Sequence, residues 1–239
     1  MADFNFNFNG ETVQETRAHE IAHSFMSQVY VWMCFGLAVT GGLAWYTANS
    51  EAFIRALFGS GMTVFWIIVA VQLGIVFFLS ARVTKLNPTV ASGLFVLYAA
   101  LNGVIFAPLF MVYTSESIAS TFFVTAGTFG AMSLYGYTTK RDLSSLRSFL
   151  MMGLIGIIIA TIANIWLRNQ TVMWVVTYIA VIVFVLLTAY DTQKIKRMAY
   201  ELDQNEDLRS SVAILGALSL YLDFVNLFIH LLRIFGRQR

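Results

Sequence analysis

Residues 218–235 read LSLYLDFVNLFIHLLRIF. As a helix this stretch is about 27 Å long, close to the ~30 Å hydrocarbon core of a bilayer. Its one acid, Asp223, sits near the middle. Asn226 and His230 follow at helical spacing, so a polar stripe runs along a surface otherwise made of Leu220, Leu222, Val225, Leu227, Ile229 and Leu231. Whether this segment crosses a membrane or fills a water-soluble core decides the fold.

Composition answers that. Of 239 residues, 58% are hydrophobic and only 12% charged, with 21 Phe and 10 Met; mean hydropathy is +0.72. A soluble domain is about 25% charged and about 45–50% apolar, so this is the composition of a multi-pass membrane protein. Apolar runs recur at 26–46, 63–81, 90–111, 118–137, 149–167, 172–190 and 212–232. Each is near the ~20 residues that a spanning helix needs, whereas a β-barrel shows ~10-residue alternating segments. The sequence predicts an all-α bundle of seven transmembrane helices. Residues 1–20 form a short polar cytosolic arm, since they lack the basic start and apolar run of a signal peptide, and 21–239 form the transmembrane domain.

The connections are too short for a soluble catalytic domain. No Walker or dinucleotide fingerprint is present, and no basic domain exists to bind nucleic acid. Cys34 is the single cysteine, which excludes an intrachain disulfide and a thiolate metal cluster; it reads as a small packing residue. Gly36, Gly41, Gly42, Gly74, Gly93, Gly153 and Gly156 read as sites of close helix approach, and Pro108 as a bend in the third span.

Charge sets the orientation. Arg17, Arg82, Lys85, Lys140, Arg141, Arg147, Lys194, Lys196, Arg197 and Arg209 fall on one face, ten of the fifteen basic residues. Arg55, Arg168, Arg233, Arg237 and Arg239 fall on the other. The positive-inside rule puts the N-terminus in the cytosol. Seven spans then send the basic tail outside, against its charge preference, so a re-entrant last segment stays open as an alternative.

Asp223, eleven residues beyond Val212, lies about 16 Å along its helix. A carboxylate at that depth costs about 2.5–3.5 kcal/mol on insertion scales and faces protein or a watery cavity. Asp191, which ends the sixth run in LLTAYDTQKIKR, is its expected partner. Two carboxylates brought together at low dielectric cannot both ionise cheaply, so they share a proton and titrate as a unit. Such a pair switches with pH or supplies two of the oxygens that a hard cation such as Ca2+ takes. The plainer reading is a hydrogen-bonded network along Asp223, Asn226 and His230 that holds the last helix in register. Arg82 either snorkels to the cytosolic surface or neutralises an aspartate. Glu116 sits at the outer mouth, where it attracts cations. His19 and His23 lack further metal ligands, and Asn102 and Asn164 are candidates for interhelical bonding. Counted from the span ends, Asp191 is about 28 Å deep and Asp223 about 16 Å in from the opposite direction of travel, so spacing alone does not make them meet.

Three segments carry a resemblance: FGAMSLYGYTTKRDLSSL at 129–146, LLTAYDTQKIKRM at 186–198 and GALSLYLDFVNLFIHLLRIFG at 216–236. From about Ala18 to Arg239 the chain resembles bacterial members of the Bax inhibitor-1 family, the transmembrane Bax-inhibitor-motif proteins. The resemblance implies seven helices, six of them around a central seventh, in a bacterial inner membrane. It also implies a pH-sensitive calcium leak gated by an aspartate pair matching Asp191 and Asp223, with Arg82 matching an arginine late in helix two. No resident cofactor is expected; Ca2+ is the passing ion. The family is further linked to suppression of cell death and, in bacteria, to modulation of a membrane-bound ATP-dependent protease. A regulatory protein without transport is therefore the alternative, with Tyr200–Ser211 (YELDQNEDLRSS) as its candidate partner surface. An enzyme is not expected: Tyr190–Asp191 looks like half of an intramembrane aspartyl protease, but Leu220–Tyr221–Leu222 stands where a Gly-x-Gly sequence would precede the second aspartate.

Overall fold

The computed structural model describes residues 8–59, 63–201 and 206–239, with side chains from Glu20 onward except at 57, 58, 84, 201, 206 and 207. Eight α-helices are present among the described residues: α1 (Phe8–Ala48), α2 (Glu51–Phe58), α3 (Thr63–Arg82), α4 (Pro88–Val112), α5 (Ser115–Thr138), α6 (Arg147–Leu167), α7 (Gln170–Glu201) and α8 (Glu206–Phe235). All but the short α2 are long and apolar enough to cross a membrane, which makes seven spans. The seven apolar runs of the sequence fall one in each.

Polar side chains end and restart the helices where the chain must turn. Asn87 accepts from Thr89 N–H at 2.9 Å with Pro88 at the first helical position of α4, Thr114 caps α5 and Asn169 caps α7. Between α6 and α7 the chain reverses through Arg168 in the left-handed region, φ 47°. α4 continues a further turn past Pro108. α1 is unbroken from Phe8, so residues 8–20 are helical and continuous with the first spanning helix.

α8 is the centre. Of its apolar window 67% is buried, against 17% for α3 and 11% for α6. It packs along α1, α4, α5 and α7, while α3 leans on α4 and α6 on α7. Ala213, Ala217, Leu218, Leu220, Tyr221, Leu227 and Leu232 are almost wholly buried, and no face of α8 is left for lipid along most of its length.

The last helix does not re-enter. α8 is continuous over 30 residues, about 45 Å of rise. Its tail pairs with the α4–α5 link: Thr114 N–H donates to Arg237 carbonyl at 3.1 Å, Arg239 N–H to Val112 carbonyl at 3.0 Å and Arg237 N–H to Ser117 Oγ at 2.9 Å. That link lies on the face opposite the α7–α8 turn, so the tail emerges on the face poorer in basic residues. Backbone pairing holds it there despite its three arginines.

Two sequence readings are corrected. A Cβ placed on Gly41, Gly42, Gly74, Gly93 or Gly156 would meet nothing within 4 Å; these glycines face open space. The close approaches are at Gly36, Gly103, Gly136, Gly153 and Gly216. Cys34 is exposed on α1 and packs against no core. Hydropathy identifies a spanning helix but not which of its faces meets protein, because lipid and a protein core are equally apolar.

Candidate functional site

The site grows from the antiparallel seam of α7 and α8. Its register is set by neighbours at either end. Ile195 Cγ2 sits 3.1 Å from where a Cβ on Gly216 would stand. The Phe184 ring stacks on His230 with centroids 6.1 Å apart and planes at 21°. Asp223 is midway between Gly216 and His230 on α8, and the matching midpoint on α7 falls at residues 189–190, beside Asp191. The two aspartates are therefore level, and the charge of Asp191 acts on Asp223. The mismatch counted from the sequence disappears because α7 runs to Glu201, well beyond the end of its apolar run. Asp191 is an interior position of a long helix, not its last residue.

Asp223 is 4% exposed, Asp191 half-buried. Among the described residues, the Asp223 Oδ2 atom has no hydrogen-bond partner, nor does His230 Nδ1. Asn226 turns its amide to the Leu222 carbonyl of its own helix at 2.8 Å. The stripe on α8 is thus not a closed hydrogen-bonded network. Further toward the outer face Arg233 donates to Thr177 Oγ1 at 3.2 Å. Glu116 is exposed in the first turn of α5, on that same outer face.

Arg82 is exposed at the last turn of α3, and the helix it ends packs on α4. Lys194, one turn along α7 from Asp191, lies close enough for its charge to act on both aspartates. The sequence reading passed over Lys194 as one of several loop cations; its i+3 spacing from Asp191 was the available signal.

α7 is anchored firmly on the cytosolic side of Asp191. Gln193 accepts from Leu143 N–H at 2.9 Å and donates to Arg141 carbonyl at 2.8 Å. Arg197 donates to Asp142 Oδ1 at 2.6 Å and to Ser144 Oγ at 2.8 Å. The Ser144 backbone N–H, then Arg197, hold the Asp142 carboxyl down at about 2. Gly136 of α5 lies against the Ala189 backbone, and Ser133 bonds Thr192 at 3.0 Å, with Tyr30 of α1 on the other side of Ser133. A rigid frame of three helices thus surrounds an acid pair whose inner member is incompletely bonded.

The other named polar residues do different work. Asn164 accepts from Asn169 N–H at 3.0 Å in the α6–α7 turn. Asn102 faces the hydroxyls of Tyr98 and Tyr221. His23 is exposed, and the His19 side chain lies outside the described residues. Among the described residues no group of three or more His, Cys, Asp or Glu side chains is placed to hold a metal ion. Much of the Tyr200–Ser211 segment likewise lies outside them.

Residues 22–239 match the family model described as inhibitor of apoptosis-promoting Bax1. The chain is 55% identical over 218 residues to the inner membrane protein YbhL of Escherichia coli K12, covering 90% of this chain and 92% of that one. It is 38% identical over 229 residues to an uncharacterized protein of Borreliella burgdorferi, 96% and 98% covered, and 41% identical over 215 residues to the uncharacterized protein RP147 of Rickettsia prowazekii, 90% of each covered.

Proposed function

The chain belongs to the Bax inhibitor family, and from that premise we propose that it is a pH-gated cation leak channel of a bacterial inner membrane, its N-terminus cytoplasmic and its best-suited ion Ca2+. The observation that carries this reading is the level pair Asp191 and Asp223 across the α7–α8 seam, with Asp223 Oδ2 unpartnered in the buried centre. A carboxylate oxygen left without a donor at that depth is expensive as pure architecture and useful as a place for a proton or a passing cation.

In acid the pair shares a proton and the seam is closed. As pH rises the proton is lost, the two charges repel, and the seam loosens while exposing oxygen ligands. Lys194 tempers that repulsion. Two carboxylates supply only part of a calcium shell of six to eight oxygens, so carbonyls and water complete it and the site is one of transit. We assign no enzymatic reaction. Leu220 and Tyr221 are fully buried just before Asp223, where a protease would need open backbone for its substrate.

The test is reconstitution of purified protein into liposomes holding a calcium dye, with influx followed across pH. Influx should rise toward alkaline pH. Influx equal to that of empty liposomes at every pH would sink the transport reading, and a stoichiometric partner recovered in mild detergent would then favour a regulator, for example of a membrane-bound protease. Equal passage of Mg2+, Na+ and K+ under matched gradients would remove the calcium label and leave a pH-gated cation leak.

A further inference from the structure

α1 packs on α4, α7 and α8, and α5 on α7 and α8, while α1 and α5 meet at Tyr30 and Ser133 and pack little elsewhere. Between them lies a cleft of about 790 Å³, lined by His23, Ser27, Tyr30, Cys34, Leu134 and Tyr137 among others. Both walls belong to spanning helices, and Val31, Cys34 and Leu134 are exposed, so the cleft opens sideways into the bilayer. Its volume falls within the ~300–1,000 Å³ of small-molecule sites.

The cytosolic rim is cationic. Lys196 Nζ lies 4.4 Å over the Tyr137 ring and donates to the Tyr137 carbonyl at 2.8 Å, and it makes no ion pair among the described residues. Lys140 is exposed three residues beyond Tyr137. A long apolar slot ending at unpaired ammonium groups, at the level where phosphates of the inner leaflet lie, fits an anionic amphiphile.

We propose that the α1–α5 cleft binds an anionic phospholipid, one acyl chain along the slot and the phosphate at the Lys196 rim. The floor beneath the chain is the hydroxyl series Tyr30, Ser133 and Thr192, one residue from Asp191. The site stands on its own packing and charge, independent of ion flux.

The experiment uses the full chain in nanodiscs containing phosphatidylglycerol with a diazirine in one acyl chain, and in parallel the same chain on phosphatidylcholine. After illumination, adducts are mapped by mass spectrometry. Phosphatidylglycerol adducts should concentrate several-fold on 26–34 and 129–137 over the lipid-facing α6 residues 149–166. Gly130→Trp fills the slot from a position where an added Cβ meets nothing and should abolish that excess. Alkylation of Cys34, the only cysteine, with a bulky maleimide does the same without altering the sequence, should Gly130→Trp fail to fold. Lys196→Gln keeps a donor for Tyr137 and should bring the two lipids to equal labelling. Adducts no denser in the cleft than on α6, cleft adducts indifferent to both plugs, or protection of the cleft by a protein helix would overturn the proposal. Equal labelling by both lipids in the unmodified chain would overturn its anionic part.

Discussion

Two polar clusters lie in the apolar interior, one on each side of α8, and they are finished differently. On the side facing α1 and α4, Thr40 donates to Ala99 carbonyl at 2.8 Å and is 2.7 Å from the Tyr221 hydroxyl. Thr40 has one hydroxyl proton, so Tyr221 must donate to it. Tyr221 is gripped edge-on by Phe95 and Tyr98, and in this cluster the Asn102 amide nitrogen is without a partner among the described residues. On the side facing α7, Asp223 and His230 both keep unpartnered atoms. A neutral amide lacking one partner costs about 1–3 kcal/mol, an uncompensated buried charge several times that. The first cluster is finished as a scaffold is finished. The second holds an ionisable group in a setting that its protonation state changes.

That contrast predicts an order of effects. The largest falls on the unfinished side: Asp223→Asn and Asp191→Asn should each remove the pH dependence of liposome calcium influx, so that the ratio of alkaline to acid influx drops to about one while the bundle stays folded. An unaltered pH profile in both folded variants would erase the distinction between the clusters.

On the finished side the expected effects are on stability alone. Gly103 sits where an added Cβ would be 2.7 Å from Thr40 carbonyl oxygen and 2.8 Å from Leu43 Cβ. Gly103→Val should therefore cost about 1–3 kcal/mol through overpacking of α1 on α4, read as earlier thermal unfolding in detergent. Tyr221→Phe removes one buried hydrogen bond but leaves Thr40 its own acceptor, and should cost about 1 kcal/mol. Its pH profile of influx should match the parent's; a shifted profile would mean that the two sides of α8 are coupled through the helix.

The smallest effect belongs to the surface strap. Asp142 has a folded value lowered to about 2, so its stabilising contribution is present above the ordinary carboxylate value and is lost only as pH falls toward 2. Across the neutral range it does not titrate. Asp142→Asn should loosen the α5–α6 link, visible as faster hydrogen exchange at 143–146, and leave the pH response of flux in place.

How far the residues alone led depended on what kind of information each question needed. The spans could be read from hydropathy, because a bilayer core forces about twenty apolar residues in a row. Asp223 was conspicuous because a carboxylate inside such a run is rare and costly. The level of Asp191 was not legible. An apolar run ends where side chains turn polar, yet α7 continues as a helix into the polar region, so counting from the run's end misplaced the residue. Lys194 and the Ser133–Thr192 contact were hidden for a related reason: they depend on which face of α7 meets which neighbour. The tail's position was misjudged as awkward because charge preference was visible, while the two backbone–backbone hydrogen bonds to Val112 and Thr114 have no side-chain signature.

The central helix follows the seven other described helices in chain order. A chain growing from the ribosome at about 5–20 residues per second has made α1 to α7 before α8 exists. Until then the surfaces of α1, α4, α5 and α7 that will enclose it have only lipid, water or one another to meet. Synthesis that stops short of residue 206 leaves a ring without its axle, and no rearrangement of the earlier helices supplies the buried Leu218, Leu220, Tyr221 and Leu227. The clasp of residues 237–239 on the α4–α5 link can close only after α8 is in place. A protein built in this order keeps those walls open until α8 fills them, and the finished bundle leaves them covered.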